Sequence, residues 1–269
     1  MTATRPDGRP TREDEMSLQT IPAVQVYWQP GCSSCLRTKE FLTKQGVAFE
    51  SIDVHNDKGG FDRLVALGAR TVPVVAKGDR FTYCQSMKDV IAFLDLDAAL
   101  KDPLPPEELK DRLLLVVRSA IRFLRQMPAD RAFDRFRDRD RSFASTAFHL
   151  FRVAEMGVEA SRQIELRSEG FREKPPADWT IEDIARRGEE VAEAIEAWWA
   201  EADTDRSFAY TVPTYYGVRP MHEVFERTAW HAAQHARQLM LMLESHGIAP
   251  DRPLTAEDLD GLPMPDSVW

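Results

Sequence analysis

No apolar run in this 269-residue chain approaches the ~20 residues that a membrane-spanning helix needs, so membrane insertion is not expected. Basic charge is scarce as well. Against 44 Asp and Glu stand 35 Lys and Arg, a net charge of −9, which argues against nucleic acid as a partner because phosphate binding needs concentrated cations. Cysteine is rarer still: three residues, two of them in Cys-x-x-Cys, are too few for the disulfide framework of a small secreted domain. The first 20 residues, MTATRPDGRPTREDEMSLQT, lack the continuous apolar stretch of a secretory signal and are expected to be a disordered tail on a cytoplasmic protein. The run DRAFDRFRDRDR interleaves its arginines with aspartates and reads as a solvated face or loop.

The length suits two domains of ordinary size. Residues 100–110, LKDPLPPEELK, pack three prolines into a polar stretch; proline stops helices and favours extended chain, so 100–106 reads as a linker. Upstream, AVQVYW, AFESIDV and TVPVVAKGDRFTYC are rich in β-branched and aromatic residues. They alternate with helical spacing in SCLRTKEFLTKQG, GGFDRLVALG and SMKDVIAFLDL, the last entered at Ser86 as N-cap. The order β-α-β-α-β-β-α over residues 21–99 predicts a small α/β domain.

Downstream, residues 107–249 read as all-α. Leu109, Leu113, Val116, Ala120 and Leu124 recur at steps of three and four in a first helix, and SFASTAFHLFRVAEMGVEASRQ forms a second. A third opens on the capping-box spacing of Thr180 and Asp183, and a fourth runs from Pro220 to Gly247. Four helices of this length predict an antiparallel four-helix bundle. Residues 250–269, with four prolines, are expected as a tail draped on the surface.

The Cys-x-x-Cys pair, Cys32 and Cys35, stands where a strand gives way to a helix. There the first sulfur meets the unpaired N–H groups of the helix N-terminus, which favour thiolate, so Cys32 is the expected nucleophile. Cys35, one turn on, can resolve a mixed disulfide at Cys32. Half a zinc site is the competing reading, but only Cys84 and His55 are at hand to complete it, and Cys84 reads more simply as a small buried residue.

VYWQPGCSSCLRTKEFLTKQGVAFESIDV, followed by LVALGARTVPVV, resembles the glutaredoxins, and NrdH-type redoxins in particular, over residues 22 to about 97. The resemblance implies a thioredoxin fold, Cys32 and Cys35 as the redox pair, and Thr71, Val72 and Pro73 as a cis-proline turn offering its backbone to substrate. It implies thioredoxin reductase or glutathione as electron donor. Gln29 stands where glutaredoxins commonly carry a lysine, and YCQS where they carry Gly-Gly. Both positions normally help to hold glutathione, so thioredoxin reductase is the expected donor.

His231 and His235 are at i and i+4 of the last helix, on the stripe that runs from Val224 through Thr228 to Leu239 and Met242 and so faces the interior. His149 lies within the apolar second helix. The spacing alone leaves both a metal pair and two core histidines open. FHLFRVAEMGVEA with TAWHAAQHARQL looks like the DinB-like four-helix metalloproteins over about residues 107 to 250. That resemblance implies a divalent metal (zinc, nickel or iron) on His149, His231 and His235, and thiol-dependent chemistry as in several relatives. Glu155 lies too far around the helix to join them and is expected in a surface or outer-shell role.

Together these readings predict a thiol-dependent metalloenzyme with a built-in dithiol redoxin, acting in thiol–disulfide exchange or in low-molecular-weight-thiol transfer and detoxification. Glutathione or another small thiol would be the co-substrate, with a small thiol or an electrophile as substrate. The alternative is a glutaredoxin-like disulfide reductase whose bundle is non-catalytic and docks a client or senses redox state or metal. The oligomeric state stays open, a dimer included.

Overall fold

The computed structural model describes residues 24–137 and 141–269; the tail expected over residues 1–20 lies outside them. Four strands, β1 (Val24–Trp28), β2 (Phe49–Asp53), β3 (Val74–Lys77) and β4 (Arg80–Tyr83), form one mixed sheet in the order β2-β1-β3-β4. Val26 of β1 lies opposite Ser51 of the parallel β2 and opposite Val75 of the antiparallel β3. A parallel pair needs a crossover, which α1 (Ser33–Lys44) supplies; α2 (Lys58–Ala66) links β2 to β3, and α3 (Met87–Leu94) follows β4. Alternation along β1 sends Val26 to one face, with Leu42, Val75, Cys84 and Val90, and Tyr27 to the other, with Ile52, Leu64 and Val74. The element order is the one the sequence predicts.

The C-terminal part is largely helical. Its four long helices, α4 (Pro106–Gln126), α5 (Phe143–Ser161), α6 (Ile181–Ala200) and α7 (Met221–Ser245), enclose one large core. α7 packs along α4 and α5, and α6 closes over the same two helices. The local signals act as expected: Pro106 opens α4 in its first turn, Thr180 and Asp183 form a capping box on α6, and the five apolar residues picked out in α4 are all fully buried. A second capping box, Ser142 with Ser145, fixes the start of α5. Gly157 of α5 lets that helix approach α7 closely, since a Cβ there would lie 2.6 Å from Thr228 Cγ2.

Three features differ from the sequence reading. A hairpin, β5 (Thr211–Thr214) with β6 (Gly217–Pro220), turns at Tyr215 and Tyr216 ahead of α7, and a short 3-10 helix spans Ser168–Arg172. Residues 250–269 do not simply drape on the surface: Leu254, Leu259 and Leu262 join the helical core, each 8% exposed. Their irregular spacing among prolines and acids shows no period and so gives no sign of burial.

The redoxin-like part sits on α7 through α1. The Arg37 guanidinium lies 4.9 Å from the centre of the Trp230 ring, and Arg219 at the end of the hairpin pairs with Asp89 of α3. Glu40 accepts hydrogen bonds from the backbone N–H groups of Asp266 (2.6 Å) and Ser267 (2.9 Å). His222 Nε2 lies 2.7 Å from the carbonyl of Leu104 in the segment between the two parts.

Replacing Gly157 by valine forces α5 and α7 apart at Thr228. The expected cost is about 2 kcal/mol, read as a lower urea midpoint, because overfilling a packed contact costs about 1 to 3 kcal/mol. A midpoint equal to that of the wild-type protein would show that the helices do not meet there.

Candidate functional site

Strand β1 ends at Trp28, and the turn that follows, with Gly31 at φ +66°, delivers Cys32 to the N-cap of α1. Cys32 and Cys35 are joined as a disulfide, and the Cys35 N–H points at Cys32 Sγ at 3.2 Å. Cys32 is half-buried whereas Cys35 is 1% exposed. An accessible sulfur that the helix N-terminus favours as thiolate, with a partner shielded one turn away, has the asymmetry that disulfide exchange needs. The Val72–Pro73 peptide is cis, and Thr71 and Val72 face the same cavity as Cys32. Cys84 is buried in the sheet core, and burial raises its thiol pKa far from the reactive range.

The three histidines converge from two helices. His149 of α5 and His231 and His235 of α7 are 4%, 7% and 1% exposed, and one candidate ligand atom from each lies within 4.8 Å of the others. The Nε2 atoms of His231 and His235 are 3.1 Å apart. On the other side of the His235 ring, Nδ1 lies 2.8 Å from Gln238 Oε1, while Gln238 Nε2 donates to the Val268 carbonyl at 3.2 Å. That amide orientation makes Oε1 the acceptor, so Nδ1 carries the proton and the Nε2 lone pair of His235 faces His231.

The donor set fits a metal. Two imidazole nitrogens held about 2.0–2.1 Å from one ion lie about 2.9 Å apart at a right angle and about 3.4 Å apart at the tetrahedral angle. The observed 3.1 Å falls between them. His222 and His246 are elsewhere, in the first turn of α7 against the Leu104 carbonyl and at the C-cap of α7. Glu155 sits in an ion network, accepting from Arg152 at 2.9 Å and pairing with Arg187.

A cavity of about 260 Å³ joins the two sets: Cys32, Thr71 and Val72 line it from the redoxin-like part, and His149, His231 and His235 from the helices. A larger cleft, about 1150 Å³, runs beside Arg37, Trp230 and the C-terminal residues, but it holds neither the cysteine pair nor any of the three histidines. The candidate residues therefore converge on the smaller space. Sequence reasoning missed several of its walls. Phe171 and Arg172 come from the 3-10 helix, Tyr215 from the hairpin, Gln85 from the YCQS segment, and Arg141 from the end of the basic run read as a solvated loop. Arg227 was legible in principle: it is one turn before His231, and an arginine on an apolar helical face is itself a signal.

Comparison with known proteins concerns the redoxin-like part. The glutaredoxin family model matches residues 24–82. Over 64 residues the chain is 42% identical to the Gene 56 protein of Mycobacterium phage L5, which is 23% of this chain and 62% of that protein. Over 56 residues it is 29% identical to the glutaredoxin-like protein NrdH of Lactococcus lactis subsp. lactis, 21% of this chain and 78% of that one. A crystal structure of a mutant of the thioredoxin-like protein BC3987 aligns at 28% identity and a TM-score of 0.27, over 28% of this chain and 97% of that chain. The N-terminal part is thus a glutaredoxin/NrdH-type domain of thioredoxin fold, and its Cys32–Cys35 pair is of the thiol–disulfide redox type. No helix among the described residues is long and apolar enough to cross a membrane.

In the reduced protein at neutral pH, iodoacetamide is expected to modify Cys32 first, Cys35 more slowly, and Cys84 only on unfolding. Peptide mapping after partial labelling reads the order, and early modification of Cys35 or Cys84 contradicts it.

Proposed function

We propose that the chain is a thiol–disulfide exchange enzyme in which the redoxin pair works beside a divalent-metal site of a DinB-like four-helix bundle. In this reading residues 21–99 are the redoxin, 100–106 the linker and 107–249 the bundle. The observation that carries it is the common cavity, which is lined by both Cys32 and three buried imidazoles.

Cys32 is the attacking and attacked sulfur, because it is the accessible member of the pair at a helix N-terminus. Cys35 resolves the mixed disulfide and shields the pair from a second molecule. The Thr71–Val72 backbone lines the approach to Cys32 and orients an extended thiol along it. His149, His231 and His235 would hold the ion, with Gln238 fixing the ring of His235 and Val268 fixing Gln238. A bound ion of this kind supplies Lewis-acid polarisation of a thiol sulfur or an electrophile. Zinc, nickel and iron all suit imidazole donors. Reducing equivalents come from thioredoxin reductase in preference to glutathione, since Gln29 and the YCQS segment stand at the positions where glutathione is usually gripped. The substrate is a small thiol, its disulfide or an electrophile.

Metal analysis of the purified full-length protein tests the site. About one divalent ion per chain is expected, lost in each of His149→Ala, His231→Ala and His235→Ala, with circular dichroism confirming that each variant folds. Full metal retention in His149→Ala would refute the three-histidine site and leave a two-histidine one.

A further inference from the structure

The cavity between the cysteine pair and the histidines is electropositive in a protein of net charge −9. Arg70, Arg141, Arg172 and Arg227 line it, and none of the described lining residues is an aspartate or a glutamate. Only Arg70 belongs to the redoxin; the other three come from the start of α5, the 3-10 helix and α7.

Two of these arginines are built into the cavity. Arg227 is 6% exposed and forms no ion pair among the described residues. Its Nη2 reaches the Tyr215 hydroxyl only at 3.5 Å, its Nε has no hydrogen-bond partner, and its guanidinium lies 5.0 Å from the centre of the Phe171 ring. Arg141 is half-buried, its Nη1 is buried without a partner among the described residues, and burial lowers its pKa to about 10. Guanidinium groups taken out of water without a counter-charge are costly, and the natural relief is an anion that is not part of the chain. The available space, about 260 Å³, suits a small molecule.

We propose that Arg141 and Arg227 form a clamp for the carboxylate of a small thiol while its sulfur is exchanged at Cys32, so that the molecule is held between the redoxin and the helices. The inference rests on Cys32 as the exchange nucleophile and adds the charge of the thiol and the residues that read it. Guanidinium forks match carboxylates in geometry and charge, and the Arg227 guanidinium packs on the Phe171 ring. Reduced Cys32 attacks one sulfur of the small disulfide, whose S–S bond breaks; one half stays clamped on Cys32 and the other leaves as a thiolate that takes a proton from water. The Cys35 thiolate then attacks Cys32 Sγ, closing the Cys32–Cys35 bond and releasing the clamped half as a thiol. One small disulfide is reduced to two thiols and one protein dithiol is oxidised, to be reduced again by the electron donor.

The test uses the full-length Cys35→Ser protein, in which reduced Cys32 attacks a small disulfide and keeps one half while the other leaves as thiolate. Three probes of similar size are compared: 3,3′-dithiodipropionate, 2-hydroxyethyl disulfide and cystamine, which are anionic, neutral and cationic. Each rate, read by intact mass, is divided by that of the same probe with dithiothreitol to remove intrinsic reactivity. The expected order is anionic, then neutral, then cationic. Arg227→Met and Arg141→Met are each expected to lower the anionic-to-neutral ratio by about tenfold, the scale of one lost charge-assisted contact. Because the neutral probe is an internal reference, a partly destabilised variant still reports. If Arg227→Met does not fold, Arg141→Met decides. Equal rates for the three probes, or a ratio unchanged in the variants, overturn the clamp while leaving exchange intact. Absence of any mixed disulfide on Cys32 overturns the exchange reading, and the clamp with it.

Discussion

The contact of Arg37 with Trp230 is the one on which the rest of the structure depends. Arg37 lies five residues after Cys32 and two after Cys35 on α1, and Trp230 is the immediate neighbour of His231 on α7. Seating the guanidinium 4.9 Å from the indole centre therefore holds the first part of α1, with its sulfurs, against α7 beside the face that carries the histidines. The contact is buried enough to lower the Arg37 pKa to about 10, with the charge of Glu226 acting in the opposite sense. Arg219 with Asp89, and Glu40 with the chain at 266 and 267, hold the same arrangement at its edges.

α7 is consequently a shared spine. One stripe presents Arg227, His231 and His235 to the cavity, while Gln234, Arg237 and Gln238 grip the last residues of the chain through the carbonyls of 265–268. Those residues in turn orient His235, because Val268 holds the Gln238 amide that holds the imidazole. A terminal segment with no secondary structure of its own thus reaches a buried ring by two hydrogen bonds. Gly157, by letting α5 come close at Thr228, sets the separation across which His149 meets the other two histidines.

Much of this was legible in the sequence, and the remainder failed for identifiable reasons. Alternation and helical period located all four strands of the sheet and all four long helices, because each buries one regular face. The cysteine pair and the His231/His235 pair stood out by local spacing, whereas His149, on another helix, entered only through the resemblance to the DinB-like proteins; the fold brings the three rings together. The hairpin at 211–220 escaped because each strand has only four residues and one contains Pro213. Arg141 escaped because a run of alternating arginine and aspartate looks solvated, and only the tertiary fold shows which member turns inward. Leu254, Leu259 and Leu262 follow no period, and no local signal reveals that an irregular segment crosses a core. That the two sites share one space was beyond the sequence altogether, since it depends on how one domain sits on another.

The shared space is open to direct measurement. A nitroxide attached to Cys32 in the Cys35→Ser protein, with copper(II) added as a spin probe for the three imidazoles, reports their separation by dipolar broadening of the nitroxide spectrum. Strong broadening that is lost in the His231→Ala variant is the expected result. A nitroxide spectrum unchanged by copper, in protein whose copper signal shows nitrogen ligation, would contradict the common chamber.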